Sequence, residues 1–135
     1  MKYNDTPRYE LLQGYVKAVK KGDISVLTSF HVYEQIAEQI NSTIIGKTAA
    51  NGVTIESYAT HFVDRIIGQT STSHKGMRLG VSVEDALAAL LNPESYGEIH
   101  QLADGDVRQT FYGFNAVVTM SIRDKRLIQA NPKER

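Results

Sequence analysis

Apolar residues recur at helical spacing over the first two thirds of the chain and alternate with polar ones over the last third. Tyr9, Leu11, Leu12, Tyr15, Val16 and Val19 recur at helical spacing. Thr6-Pro7 supplies an N-cap with proline at the first helical position, and Lys20-Lys21-Gly22 closes the segment with positive charge and a glycine stop. A second amphipathic stretch, residues 32–44, carries Ile36, Ala37 and Ile40 on one side, and the small polar run 46–52 reads as a loop. The spacing of Ile55, Tyr58, Phe62, Val63, Ile66 and Ile67 predicts a third helix over 55–67, with Thr54 as its cap. Residues 68–76 (GQTSTSHKG) read as a polar loop. Ser82-Val83-Glu84-Asp85 opens a fourth helix with a capping-box-like pattern, and Asn92-Pro93 ends it.

From Gly97 the period changes. Segments 98–102, 109–112, 116–122 and 127–130 read as short strands, separated by the turn signals Asp104-Gly105-Asp106, Gly113-Phe114-Asn115 and Arg123-Asp124-Lys125. Helices first and a four- to five-stranded antiparallel meander afterwards predict an α+β domain. The chain shows no internal repeat. Its 135 residues and 41% apolar content suffice for a single domain spanning 1–135.

Charge narrows the picture little. Fifteen basic and fifteen acidic residues cancel, which weighs against a broadly basic nucleic-acid binder but not against a local phosphate grip. The tail from Arg123 to Arg135 is locally basic. There is no cysteine, so disulfides, thiol catalysis and cysteine-ligated metals are excluded. No apolar run reaches membrane-spanning length and no signal-peptide pattern opens the chain, so any export is expected to be encoded elsewhere, as in a larger parent polypeptide.

The chemistry that stands out is Thr60-His61-Phe62-Val63-Asp64-Arg65. A histidine and an arginine four residues apart lie on one helical face, one able to move protons near neutral pH and the other to grip a phosphate with two N–H groups. A helix-border histidine is more often satisfied by a neighbouring carbonyl or carboxylate, and Asp64 is a candidate ion-pair partner for a nearby base; spacing alone leaves both readings open. Lys75 and Arg78 flank the loop before the fourth helix and are either solvated charge or a phosphate clamp. Arg108, Gln109, Thr110 and Tyr112 fall on one predicted strand, and Thr119 and Ser121 on another. Alternation sends Thr119 and Ser121 to one face, which is either merely the wet side of the sheet or the floor of a site beside His61 and Arg65. His31, His61, His74 and His100 are scattered without metal-ligand spacing, and no P-loop, GxGxxG or GxSxG is present, so neither a metal nor another cofactor is expected.

The order HFVDR (61–65), RLGVSVEDALAALLNP (78–93), RQTFYG (108–113), AVVTMS (116–121) and RLIQANP (126–132) resembles the polymorphic-toxin type 50 and phage-associated domains. These belong to the Barnase–EndoU–colicin–RelE-like (BECR) ribonuclease toxin superfamily. The resemblance covers residues 54–133, and it implies a BECR-like nuclease core there. Residues 1–53 form a helical region with no counterpart: a cap on the nuclease, a delivery segment or a docking surface.

What the resemblance implies is metal-independent RNA cleavage, with tRNA the expected substrate. A ribose 2′-hydroxyl attacks the adjacent phosphate and leaves a 2′,3′-cyclic phosphate. His61 matches the helix histidine and is the implied general acid/base, and Arg65 matches the phosphate-binding arginine. Arg78 matches the basic residue before the next helix, and Thr119 the polar strand residue. Arg108, Thr110, Tyr112 and Ser121 are expected to line the substrate face. Gln129 stands where the family carries threonine or serine. The loop 68–76 is an insertion relative to the family, which loosens the placement of Arg78. A cognate immunity protein is the implied partner, with a host factor as a further one, and the expected place of action is the cytoplasm of a bacterial target cell after delivery by a parent protein. Two alternatives stand beside this reading: a non-catalytic phage or mobile-element docking module, and an antitoxin-like regulatory helical protein.

Overall fold

Helix boundaries in this chain are decided by which backbone N–H groups find a side-chain acceptor and which chain segments are claimed by the sheet. The computed structural model describes residues 6–68 and 79–133. Helix α1 (Thr6–Lys21) follows the first apolar stripe, and the chain turns at Gly22 as expected. Helix α2 (Phe30–Thr43) begins two residues before the expected 32–44, because the Ser29 hydroxyl accepts from the Val32 N–H and fixes the start there. At α4 (Val83–Leu91) the Ser82 hydroxyl accepts from the Asp85 N–H at 3.0 Å, and Asn92 closes the helix. Such a cap contributes about 1 kcal/mol.

The third helix is shorter than its periodicity predicts. Instead of 55–67 with a Thr54 cap, α3 is Thr60–Ile67, entered through Ala59 with no side-chain cap. The preceding residues are drawn into the sheet as β1 (Ser57–Tyr58), which lies parallel to the last strand. Backbone bonds from Glu56 and Ser57 to the Lys125 carbonyl, and from Ala59 to the Leu127 carbonyl, hold them there.

The class is α+β: the described residues form four helices and a mixed six-stranded sheet built mostly from the C-terminal third. Strands β4 (Val107–Tyr112), β5 (Ala116–Ser121) and β6 (Arg126–Pro132) form the expected antiparallel meander, β4 and β6 longer than their predicted ranges and β5 one residue shorter. The predicted strand 98–102 is reduced to β3 (His100–Gln101), and an unpredicted strand, β2 (Ser95–Tyr96), precedes Gly97; both pair with β4. With the parallel β1 on the opposite side, the order is β1-β6-β5-β4-β2, so the sheet is mixed rather than purely antiparallel. β1 was missed because an apolar-polar run of two residues fits a helical period as well as a strand period.

One apolar cluster joins the helices to the sheet. Phe111, Val118, Met120, Leu127 and Ala130 point from the strands onto Phe62, Val63, Ala86 and Leu90, and Ile24, Tyr33, Ile40 and Ile44 from the N-terminal half belong to the same cluster. Helix α3 lies along β6 and α4 along β5, α2 packs on both helices, and α1 packs on α2 and α3. Full burial of a large aliphatic or aromatic side chain contributes about 1.5–3 kcal/mol, so this cluster supplies most of the cohesion.

Two glycines permit backbone approaches that a side chain would prevent. At Gly80 a Cβ would stand 2.3 Å from the Ile66 carbonyl oxygen, where Val81 donates to that same carbonyl to tie the chain to the end of α3. At Gly113, in the β4–β5 turn, a Cβ would stand 2.6 Å from the Ala89 Cβ, so the turn seats directly on α4. Gly113→Ala is therefore expected to destabilise the fold by about 1–3 kcal/mol through overpacking. Urea denaturation measures this, and an unchanged midpoint contradicts the seating of the turn on α4.

Candidate functional site: the polar sheet face and helix α3

Alternation along the strands divides the sheet into an apolar face toward the helices and a polar face. Register assembles the polar face in rows. Tyr112, Val117 and Asn131 form one row, and Thr110, Thr119 and Gln129 the next. A β-bulge at Thr119/Met120 then absorbs Ile128 as an extra residue, and Arg108, Ser121 and Arg126 form the third row. The bulge matters because it keeps Arg126 and Gln129, three residues apart, on the same side of β6.

In the middle row the Thr110 and Thr119 hydroxyls are 3.0 Å apart. One proton is used within the pair and the other is left to donate outward. Both residues are half-buried, as is Gln129, whose side chain makes no hydrogen bond among the described residues. Tyr112 is 41% exposed, and its ring lies beside Gly97.

Helix α3 brings its own groups to this face. It starts where β1 leaves the sheet and runs along β6, burying Phe62, Val63 and Ile66 and keeping His61 and Arg65 half-buried at its border. The Arg65 Nε donates to His61 Nε2 at 3.0 Å, and its Nη1 donates to the Asn131 Oδ1 at 3.4 Å. A guanidinium has no lone pair to offer, so His61 must be the acceptor. Its imidazole is thus neutral in this arrangement, with the proton on Nδ1. Arg65 links a helix histidine to a strand asparagine that shares the polar face with Thr119. Asp64 turns the other way: it is buried and accepts from the Ser25 N–H at 3.3 Å, tying α3 to the α1–α2 connection.

The third row is organised by Asp106. Its carboxylate accepts from the Ser121 hydroxyl at 2.6 Å, from the Val107 N–H at 2.8 Å and from the Arg108 Nε at 2.9 Å. The Ser121 hydrogen bond most of all, with Arg108 and Val107 adding to it, pulls Asp106 from the ordinary 3.8 down to about 2, against burial, which pushes it up.

The residues singled out from sequence therefore divide. His61, Arg65, Thr119, Thr110 and Gln129 are placed on or beside one half-open face, with Tyr112 at its end. Ser121 lies on that side of the sheet but is fully buried, its hydroxyl given to Asp106, so it is not presented to a substrate in this arrangement. Arg108 spends one edge of its guanidinium on Asp106. Arg78, together with Lys75 and His74, lies outside the described residues. His31 and His100 are exposed on α2 and β3. Among the described residues no group of three histidine, aspartate or glutamate side chains is placed to hold a metal ion, and no helix is long and apolar enough to cross a membrane.

Asn131 and Arg126 escaped the sequence reading. Both lie in the stretch RLIQANP (126–132) but receive no role there; only the sheet register reveals that they share a face with Thr119.

Comparison with known proteins finds no matching family model, no matching curated protein and no matching solved structure.

Asp106 also generates a pH dependence. A carboxylate with a depressed folded-state value stabilises the fold fully above its unfolded value, and that contribution is lost as pH falls toward the folded value. For Asp106 the window runs from about pH 4 to about pH 2. Thermal unfolding followed over this range is expected to show a steeper acid loss for the natural protein than for Asp106→Asn. Parallel curves contradict the role of the Ser121–Asp106–Arg108 cluster.

Proposed function

We propose that this chain is a metal-independent endoribonuclease that cuts RNA by 2′-hydroxyl attack on the neighbouring phosphate. The observation that carries the reading is the Arg65 bridge: one guanidinium joins a neutral histidine on α3 to the sheet face that holds the Thr110–Thr119 hydroxyl pair. On this reading a phosphodiester lies between the His61–Arg65 pair at the Asn131 row and the hydroxyl pair of the neighbouring row.

The chemistry follows from that arrangement. An incoming phosphate competes for the Arg65 N–H groups and draws the guanidinium from His61, which frees the Nε2 lone pair. His61 Nε2 takes the proton of the ribose 2′-hydroxyl, and the oxygen attacks phosphorus. The negative charge that grows on the non-bridging oxygens is met by Arg65 and by the outward proton of the threonine pair. The bond from phosphorus to the 5′ oxygen breaks, a 2′,3′-cyclic phosphate remains, and the departing oxygen takes a proton from the imidazolium. Asn131 positions Arg65, and Gln129 offers its amide to the same substrate. The resemblance to BECR toxin domains supports this reading, with tRNA the expected RNA and an immunity protein the expected inhibitor.

A second reading has its own observation. Tyr9, Leu12 and Val16 form an apolar stripe on the outer side of α1, and Val26, Leu27 and Val32 are also exposed nearby in sequence. Isolated exposed apolar residues are ordinary, but a helical stripe suits protein docking. On this reading the chain is a docking module, and His61 is dispensable.

Total bacterial RNA incubated with the purified chain in EDTA separates the two. The natural protein is expected to yield fragments ending in 2′,3′-cyclic phosphate, and His61→Ala to be slowed about 10²–10⁴-fold, the usual contribution of a positioned acid/base. Arg65→Lys keeps the charge but cannot reach His61 and Asn131 as a planar fork does, so it is expected to lose most activity. RNA that stays intact with the natural protein rejects the nuclease reading; cleavage that survives His61→Ala unchanged removes His61 from the mechanism.

A further inference from the structure

The third row of the polar face contains an arginine whose bonding is unfinished. Arg126 stands opposite Ser121 across the β5–β6 pair, on the same side as Thr119 and Gln129. Its neighbours show what a satisfied arginine looks like here. Arg108 is bound to Asp106 at 2.9 Å, and Arg123 grips Asp124 through two nitrogens at 3.1 and 3.2 Å and also donates to the Asp104 carbonyl. Arg126 has neither arrangement. Its Nη2 lies 3.9 Å from an Asp124 oxygen already committed to Arg123, its Nε is buried with no hydrogen-bond partner among the described residues, and its side chain remains 44% exposed.

A buried N–H without a partner costs about 1–3 kcal/mol, and folding gains little from the distant Asp124 contact. This arginine is poorly explained as a structural ion pair. Its position explains it better. Two residues along β5 separate the Thr119 row from the Ser121 row, a distance of about 7 Å. That is comparable to one nucleotide step of an extended single strand, and the half-exposed Tyr112 at the other end of the face offers a ring for a base to stack on.

We propose that Arg126 binds the phosphate next to the scissile one, so that a single RNA strand runs along β5 and β6 with its reacting phosphate at the Thr119 row. The proposal rests on the ribonuclease reading for the position of the scissile phosphate. The ligand is a phosphodiester of single-stranded RNA carrying at least two phosphates, and Arg126 is a substrate-binding residue that takes no part in proton transfer.

The test uses uncleavable 2′-O-methyl RNA, a dinucleotide with one phosphate and a trinucleotide with two, titrated calorimetrically into the full chain. The natural protein is expected to prefer the trinucleotide by about tenfold, the worth of one charge-assisted contact. Arg126→Gln is expected to lose that preference while binding the dinucleotide normally, Arg126→Lys to keep part of it, and Lys20→Gln on α1 to change nothing. Unaltered melting temperatures establish that the variants fold. No trinucleotide preference in the natural protein, or equal loss of both ligands in Arg126→Gln, overturns the proposal. If the preference depends on Arg126 while RNA remains intact in the cleavage assay, the strand-binding role stands and the ribonuclease reading falls.

Discussion

The site depends on a very short piece of parallel pairing. Ser57 and Tyr58 lie beside Arg126 and Leu127, and the backbone bonds from Glu56, Ser57 and Ala59 clamp the chain to the start of β6. The next residue begins α3, so the helix can only run along β6, with its apolar side on the core and its polar border beside the sheet's open face. The Arg65–Asn131 bond is a consequence of that launch point. If Ser57 and Tyr58 had continued the helix, as their spacing invites, His61 and Arg65 would have been set by α3 alone rather than registered against β6. Two residues of sheet thus fix where His61 and Arg65 stand.

Around that clamp the polar face is graded. On β4 and β5 its far row is tied up by Asp106, which holds Ser121 and Arg108, while Arg126 on β6 stands outside that network. Its middle row is two hydroxyls and an amide, bonded to each other or to nothing else described. The side nearest α3 carries Arg65, bonded to His61 and Asn131. On the proposed reading, the charge network rigidifies one end of the face and leaves the less committed donors at the other for a ligand. The neutral overall charge is compatible with this, because the grip needs only local cations.

Much of this was legible in the chain. The helical stripe of α1, the Ser82 cap and the meander follow from local rules: period, cap chemistry and turn residues. The His61–Arg65 pairing follows from four-residue spacing, and the Thr119 face from alternation. What was not legible depends on partners far away in sequence. Residues 55–58 satisfy two periods at once, and only β6 decides between them. Ser121 looks like a wet-face hydroxyl until Asp106, fifteen positions away, claims it. Asn131 and Arg126 carry no local signal, because a bulge and a register set their direction.

The most direct test of the account is where RNA touches the protein. Backbone amide shifts of the isotopically labelled chain, followed during titration with a 2′-O-methyl RNA trinucleotide, give that map residue by residue. The account predicts perturbations concentrated at His61, Arg65, Thr110, Thr119, Gln129 and Asn131. Shifts centred instead on the Tyr9–Leu12–Val16 stripe, or no shifts at all, would contradict it.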